Sequence, residues 1–421
     1  MANQNNNDNN NVPAWINSKL FENVLREAVG NYKSIENFQV ANALGPGENF
    51  ATLMLRVRTK VLLPDDSYKN KSFMMKVALD NKIYREQMSK WEMFKKEAGM
   101  YRDIVPELEE MYKKKDVEVH FGAKYFKLPV DQEYILLEDL AEKGFRNVKR
   151  QNCLDMVHAK CVLRKLAQWH AASAVRVVEK GPYDEQYLHG FLTEDSREIC
   201  DQMFSGTLKH VLAAARKLPN HEEYYGQMET LFGHLTDAVF SQLIPQRNSD
   251  EFLALNHGDF WCNNIMFQYD DGNSDGKNQP LETYFVDLQM PRYGTVAQDL
   301  LYFILSSTQV DLKVNHFDEL IHHYYENLIE NLKLLDYSKP LPNLRDIHGS
   351  LIRYGLWGVV TTCCIMSAVL CDPTEVANIE NFVGDSEESE KFKEMLYSNE
   401  RYMKHLEVLL PWLYRRGAFE S

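Results

Sequence analysis

The hydrophobic period of this chain changes near residue 140, and that change limits the folds open to it. In LMLRVRTKV, residues 53–61, Leu53, Leu55, Val57, Thr59 and Val61 face one way, and Arg56, Arg58 and Lys60 face the other. Alternation of this kind marks a half-buried strand. After the turn LPDDSYKNKS the run SFMMKVAL repeats it, with Phe73, Met75, Val77 and Leu79 on one face and Lys76 on the opposite one. Residues 118–126 and EYILLEDL (133–140) read as two more short strands. Residues 14–30 and the charged stretch 90–112 read as amphipathic helices. Beyond Leu140 the spacing is helical. Residues 153–178 carry Ala159, Val162, Leu163, Leu166, Trp169 and His170 on one stripe, helical patterns continue to about 243, and they resume over 295–421. One β-like passage interrupts them: an apolar run at 265–269, a polar loop at 270–280 and a second strand at 282–286, together a hairpin. The fold class is therefore α+β, with a small β-sheet lobe over residues 12–138 and a larger, mainly helical lobe over 139–421. The Asn-rich residues 1–11 read as a disordered tail. Two lobes joined by a short connector near residues 138–141 leave a cleft, where ligands usually sit.

Charge and cysteine usage exclude several classes. The chain has 47 basic and 61 acidic residues, a formal net charge of −14, whereas a nucleic-acid protein carries a basic footprint. Its seven cysteines are odd in number and include no C-x-x-C pair, so neither a disulfide framework nor a zinc site is expected. The start, MANQNNNDNNNVP, has no apolar segment of a secretory signal. Residues 354–371 run 18 positions without a charge, the lower length for a membrane span. The run also holds Gly355, Gly358, Thr361, Thr362 and Ser367, and it reads as a buried helix instead. The expectation is a soluble protein of a reducing, cytoplasmic compartment, with no nucleic-acid partner and no membrane span.

Residues 256–269, NHGDFWCNNIMFQY, concentrate the chemistry. Read blandly, they are a surface turn, since Asp and Asn favour turns. Read with the hairpin, they say more. Asn264 stands just before the first strand and Asp287 just after the second. Antiparallel pairing brings those two ends together. An amide oxygen beside a carboxylate is a pair of hard ligands suited to magnesium, and Asp259, five residues before Asn264, faces the same spot. Other residues take quieter readings: His257 as a loop anchor, His170 as a satisfied core histidine, Asp299 as a cap or loop prop. Residues 271–282 fit the spacing of a calcium loop, but that motif needs helices on both sides and here both flanks are strands, so the segment reads as a hydrophilic hairpin connection.

Protein kinases build a similar arrangement with H-R-D-x-x-x-x-N and D-F-G. Here His257-Gly258-Asp259 keeps the spacing to Asn264, Gly258 replaces Arg, and Asp287-Leu288-Gln289 replaces D-F-G. No A-P-E string or activation segment follows, which separates the chain from protein kinases. The H-G-D-x-x-x-x-N loop with its downstream hydrophobic-Asp resembles the aminoglycoside phosphotransferase and choline kinase superfamily. LNHGDFWCNNIMFQYD and YFVDLQMPRYGTVAQDLLYFI, with GENF and ILLEDL upstream, resemble more closely the ecdysteroid kinase-like (CHK kinase-like) proteins of insects, over roughly residues 38–415. The resemblance implies a protein kinase-like two-lobed fold binding ATP and Mg2+ between the lobes. It implies Asp259 as the residue that positions and deprotonates a substrate hydroxyl, and Asn264 and Asp287 as magnesium ligands. It implies Lys76 on the phosphates, with Glu97 or alternatively Glu92 as its partner. Backbone around Gly47, Asn49 and Phe50 would cover the phosphates, and the strand end at Glu138 to Leu140 would offer backbone bonds to adenine. The acceptor implied is a small-molecule alcohol, an ecdysteroid or another apolar alcohol such as a plant toxin phosphorylated for detoxification. Tyr354 and Trp357 are candidates for an apolar wall, or for plain core. The net acidity suits a cationic acceptor such as choline or an aminoglycoside equally well, and a non-catalytic ATP- or steroid-binding pseudokinase is the alternative of a different class.

Overall fold

The computed structural model describes residues 12–43, 52–78, 91–242, 251–269, 279–374 and 376–420. The N-terminal part is one antiparallel sheet with strand order β1-β2-β3-β5-β4. The strands are β1 (Ser34–Asn42), β2 (Thr52–Leu62), β3 (Tyr68–Ala78), β4 (Tyr125–Phe126) and β5 (Tyr134–Glu138). Alternation along β2 and β3 sends Leu55, Val57, Val61, Phe73, Met75 and Val77 into an apolar layer. Helix α1 (Glu22–Val29) closes that layer with Val24 and Leu25, and Phe21 just before it meets Phe38 at 5.2 Å and Phe73 at 5.9 Å between ring centroids. The opposite face, which carries Lys76, turns toward the second part of the molecule. The expected helix over 14–30 is realised as a 3-10 turn, Ser18–Phe21, capped by Asn17, and then α1. The expected strand over 118–126 shrinks to the two residues of β4.

Two helices cross from the sheet to the larger core. They are α2 (Met93–Gly99) and α3 (Val105–Lys113), joined by a π turn at Met100–Ile104. Gly99 lies at their junction, where a Cβ would stand 2.1 Å from the Tyr187 hydroxyl oxygen. Met93, Phe94, Tyr101, Leu108 and Tyr112 share the apolar cluster of the helical part.

The helical part is built on α4 (Met156–Lys180), which starts at an Asp155 cap accepting the His158 N–H at 3.0 Å. Its stripe, Ala159, Val162, Leu163, Leu166, Trp169 and His170, is buried throughout. Helices α5 (Arg197–Ala215), α6 (Tyr225–Phe232) and α7 (Leu235–Ser241) follow. Two small sheets then interrupt the helices. One pairs β6 (Phe145–Arg146), β8 (Ile265–Tyr269) and β9 (Pro280–Phe285); the other pairs β7 (Leu253–Asn256) with β10 (Arg292–Thr295). Helix α8 (Ala297–Ser307) leaves β10, and α9 (Val310–Val314) and α10 (Phe317–Leu334) follow, the last packed along α4. The uncharged run at 354–371 is α12 (Leu356–Val360), a π turn (Thr361–Ile365) and α13 (Met366–Leu370), preceded by α11 (Leu344–Arg353). The run is buried, and among the described residues no single helix is long and apolar enough to cross a membrane. Only α11 taken together with the helical run Leu356–Leu370, bent by 59°, has the length and composition. All seven cysteines are free thiols.

One buried cation lies in the helical part, within reach of the Cys153 and Cys262 thiols. Lys313 on α9 is fully buried; its Nζ donates to His405 Nδ1 at 2.8 Å and sits 3.5 Å from Met366 Sδ, with no carboxylate partner among the described residues. Burial lowers its pKa from 10.5 to about 8. The folded chain therefore disfavours the charged form, and the cost is complete below pH 8 and fades as pH rises from 8 to 10.5. Lys313→Met is expected to stabilise the protein at pH 7 by about 1–3 kcal/mol, since an unpaired buried charge gives way to an apolar side chain of similar length. Urea unfolding at pH 7 and at pH 10 checks it: the gain shrinks at the higher pH.

Candidate active site

The site begins where β7 ends. The carboxylate of Asp299, in the first turn of α8 and fully buried, accepts the N–H of His257 at 2.6 Å and of Gly258 at 3.0 Å. His257 is a loop anchor: its Nε2 donates to the Val286 carbonyl at 3.0 Å. His170 packs beneath, with Nδ1 on the Tyr324 hydroxyl at 2.7 Å and Nε2 3.5 Å from Asp299. Gly258 has φ +85°, and a Cβ there would stand 1.9 Å from the Met290 carbonyl oxygen. That close approach explains why this loop has Gly where protein kinases have Arg. Gly258→Ala is expected to destabilise the protein by about 1–3 kcal/mol from backbone conformation alone, with the clash adding to it; the urea midpoint measures the sum.

The loop then presents Asp259. Its Oδ1 accepts the Tyr302 hydroxyl at 2.7 Å, and its Oδ2 accepts Nδ2 of Asn264 at 3.0 Å. The same Asn264 Nδ2 donates to the Asp259 carbonyl at 2.9 Å. The nitrogen is committed twice, and the Asn264 Oδ1 has no hydrogen-bond partner among the described residues. Burial pushes the Asp259 carboxyl up, the nearby Asp287 adds to that, and Tyr302, His257 and Asn264 oppose it.

The hairpin supplies Asp287. Ile265 pairs with Phe285, and the Val286 N–H donates to the Asn264 carbonyl at 2.9 Å, so Asn264 and Asp287 stand side by side. Asp287 has φ +62°. Its Oδ1 accepts Lys76 Nζ at 2.6 Å, and its Oδ2 accepts Nε2 of Gln289 at 3.2 Å. Gln289 Oε1 in turn accepts from Lys76 at 3.2 Å. The lysine's second carboxylate is Glu97 of α2, at 2.7 Å. Glu92 instead lies exposed and binds Lys95. Lys76 is 8% exposed and Glu97 3%. Burial works against the charge on Lys76, but Asp287 and Glu97 outweigh it and hold the ammonium above the usual lysine range. Burial pushes Glu97 up and Lys76 opposes it. We read the group as ionised, because two carboxylates meet one ammonium at ion-pair distance.

The remaining expected residues fall in two places. Glu138, at the end of β5, is buried; its N–H donates to the Lys124 carbonyl at 2.9 Å, and its carboxylate accepts the Lys124 N–H at 3.1 Å and pairs with Lys143 at 2.8 Å. Leu140 joins Ala123, Phe145 and Tyr284 in a separate apolar cluster, lined by Leu137, Met266 and Val286. That cluster spans the connector and the hairpin that ends at Asp287. Gly47, Asn49 and Phe50 lie outside the described residues. So does most of the calcium-like loop; its last residue, Glu282, lies in β9 and pairs with Lys165 at 2.8 Å. Tyr302 and Gln289 are new to the site. The signal for Tyr302 was its place three residues after Asp299, on the same helix face.

The donor set fits a divalent cation. Asp287 and the free Oδ1 of Asn264 are adjacent hard oxygens, and Asp259, Glu97 and Asp287 outnumber the one ammonium of Lys76. A small antiparallel sheet carrying a Lys–Glu pair, a helical part carrying the Asp–Asn loop, and a hairpin Asp between them make a kinase-like fold. The sequence model of the ecdysteroid kinase-like family matches residues 46–337, and the chain belongs to that family. The family implies ATP use and supports a small-molecule kinase in general. Among solved structures, a ternary complex of streptomycin, ATP and APH(2")-IIa is similar over 92% of this chain and 98% of its own, at 13% identity and a TM-score of 0.36. No curated protein sequence matches this chain.

Proposed function

We propose that this chain transfers the γ-phosphoryl group of Mg-ATP to a hydroxyl of an apolar alcohol, an ecdysteroid or a xenobiotic alcohol. The observation that carries the reading is the contact of Lys76 with Asp287 at 2.6 Å, between residues 211 positions apart, at the spot where Asn264 and Asp259 also converge. In this reading Lys76 binds phosphate oxygens, and Asn264 and Asp287 hold magnesium. Magnesium, when bound, neutralises charge on the phosphates. Asp259 orients the acceptor hydroxyl and takes its proton. Glu97 and Gln289 keep Lys76 in place, and the apolar cluster around Leu140, Met266 and Val286 suits a flat base beside the connector. Catalysis is then mostly positioning and charge stabilisation.

The acceptor in this reading is uncharged, and choline or an aminoglycoside is the alternative that the test separates from it. A cationic acceptor needs carboxylates facing it. The 287–292 turn ends in Arg292, buried, with its guanidinium over Trp357 at 5.2 Å and on Gln298 Oε1 at 2.7 Å. Lys96 binds the Gly190 carbonyl nearby at 2.7 Å. Burial, then the charges of Arg292 and Lys96, lower the His189 pKa, with Glu185 opposing. Glu251 is taken by Ser350 and Tyr354, each at 2.8 Å. The test is mass spectrometry of an ecdysteroid, apolar-alcohol and choline panel incubated with Mg-ATP and the enzyme. A phosphorylated steroid or apolar alcohol is expected; phosphocholine as the product would overturn the acceptor class.

A further inference from the structure

We propose, resting on the kinase reading, that Tyr302 is a positioning residue of the transfer: its phenol fixes the Asp259 carboxylate so that it meets the acceptor hydroxyl already aimed. A free aspartate rotates about its terminal bond. Here each oxygen has its own donor, from a different element: Asn264 on Oδ2 at 3.0 Å and Tyr302 on Oδ1 at 2.7 Å. Tyr302 lies three residues after Asp299 on α8, so one helix face holds the loop twice. Asp299 fixes the backbone of His257 and Gly258, and Tyr302 fixes the side chain that follows. The tyrosine ring is half-buried, and its hydroxyl bonds the carboxylate and not a core carbonyl.

The geometry leaves room for the reaction. Each carboxylate oxygen has two lone pairs, so each keeps one after its present bond. Burial, then the charge of Asp259, keeps the Tyr302 phenol protonated, so it donates throughout. In the transfer the acceptor O–H proton passes to an Asp259 oxygen. The acceptor oxygen's electron pair forms the new bond to the γ-phosphorus, and the old P–O bond breaks with its pair leaving on ADP. Tyr302 keeps its own proton. Loss of its hydroxyl leaves the carboxylate held at Oδ2 alone and freer to turn about its terminal bond, and misplacement of about 1 Å in such a site costs up to about 100-fold.

Tyr302→Phe, which removes one oxygen atom, is the test. Its kcat is expected to fall about tenfold with KM for ATP unchanged. In an Asp259→Asn background the same substitution is expected to change kcat by less than about twofold, because Tyr302 acts through Asp259. An unchanged kcat, or an equal loss in both backgrounds, overturns the proposal. Unfolding equilibria of wild type, Tyr302→Phe, Asp259→Ala and the double variant, in which the carboxylate is gone, give a measure free of activity: coupling of about fivefold or more is expected, and additive effects overturn the hold of Tyr302 on Asp259. A chain that transfers nothing to any acceptor would refute the kinase reading, and the unfolding cycle would still decide whether Tyr302 holds Asp259.

Discussion

Asp259→Asn is expected to lower kcat about 10²–10⁴-fold, the range for removal of a general base, and to leave ATP affinity unchanged. Asparagine keeps the shape of the side chain and one oxygen for Tyr302, so the loop keeps its fold. It cannot take a proton. The substitution also sets an amide N–H₂ near the Asn264 N–H₂, which removes the bond at 3.0 Å but spares the one from Asn264 to the Asp259 carbonyl at 2.9 Å. Single-turnover kinetics with saturating ATP would separate the two effects, because loss of chemistry lowers the transfer rate and loss of binding raises the ATP concentration needed. Equal transfer by wild type and variant would remove Asp259 from the reaction.

Lys76→Met is expected to have the largest effect on stability. It leaves Glu97 buried without its cation and takes the ammonium from Asp287. Removing one partner of a buried pair costs about 3–5 kcal/mol. Half-exposed Asp287 keeps access to water, so most of the loss falls on Glu97. Adding Glu97→Leu should recover much of the stability, because both buried charges are then gone. It should not recover activity, since nothing replaces the ammonium on the phosphates; removing one such donor costs about 10²–10³-fold in rate. Urea unfolding of the single and double variants measures the first part, and transfer kinetics the second. A single variant as stable as wild type would mean that the Lys76–Glu97 pair is not formed as described.

Much of this site was legible because it rests on covalent spacing. Period-two alternation in 53–61 and 72–79 set Lys76 opposite Phe73 and Met75, and it does face away from the layer they fill. Antiparallel pairing required the ends of the hairpin to meet, and Val286 does bond to Asn264. The edge strand β1 was missed because its residues, SIENFQVAN, are half-buried at most and leave no clean apolar face. Residues 118–126 looked like a strand, but only Tyr125 and Phe126 pair in a ladder, with β5; Phe121 and Lys124 make single backbone bonds to Phe285 and Glu138. Tyr302 was hidden in the apolar string LLYFIL, where an aromatic reads as core. Gln289 was visible only as a departure from D-F-G; its bridge between Lys76 and Asp287 depends on contacts across 213 positions that spacing does not reveal. Gly258 appeared as a missing arginine, and only the approach of Met290 supplies its reason.

The central claim is that Lys76, Asn264 and Asp287 bind a magnesium-bound nucleotide. Calorimetric titration of ATP tests it most directly, because no acceptor is required. With magnesium present the wild type is predicted to bind ATP; without magnesium, or in Asp287→Asn, binding is predicted to weaken by about tenfold or more. No binding of ATP in magnesium, or binding indifferent to both magnesium and Asp287, would contradict the account.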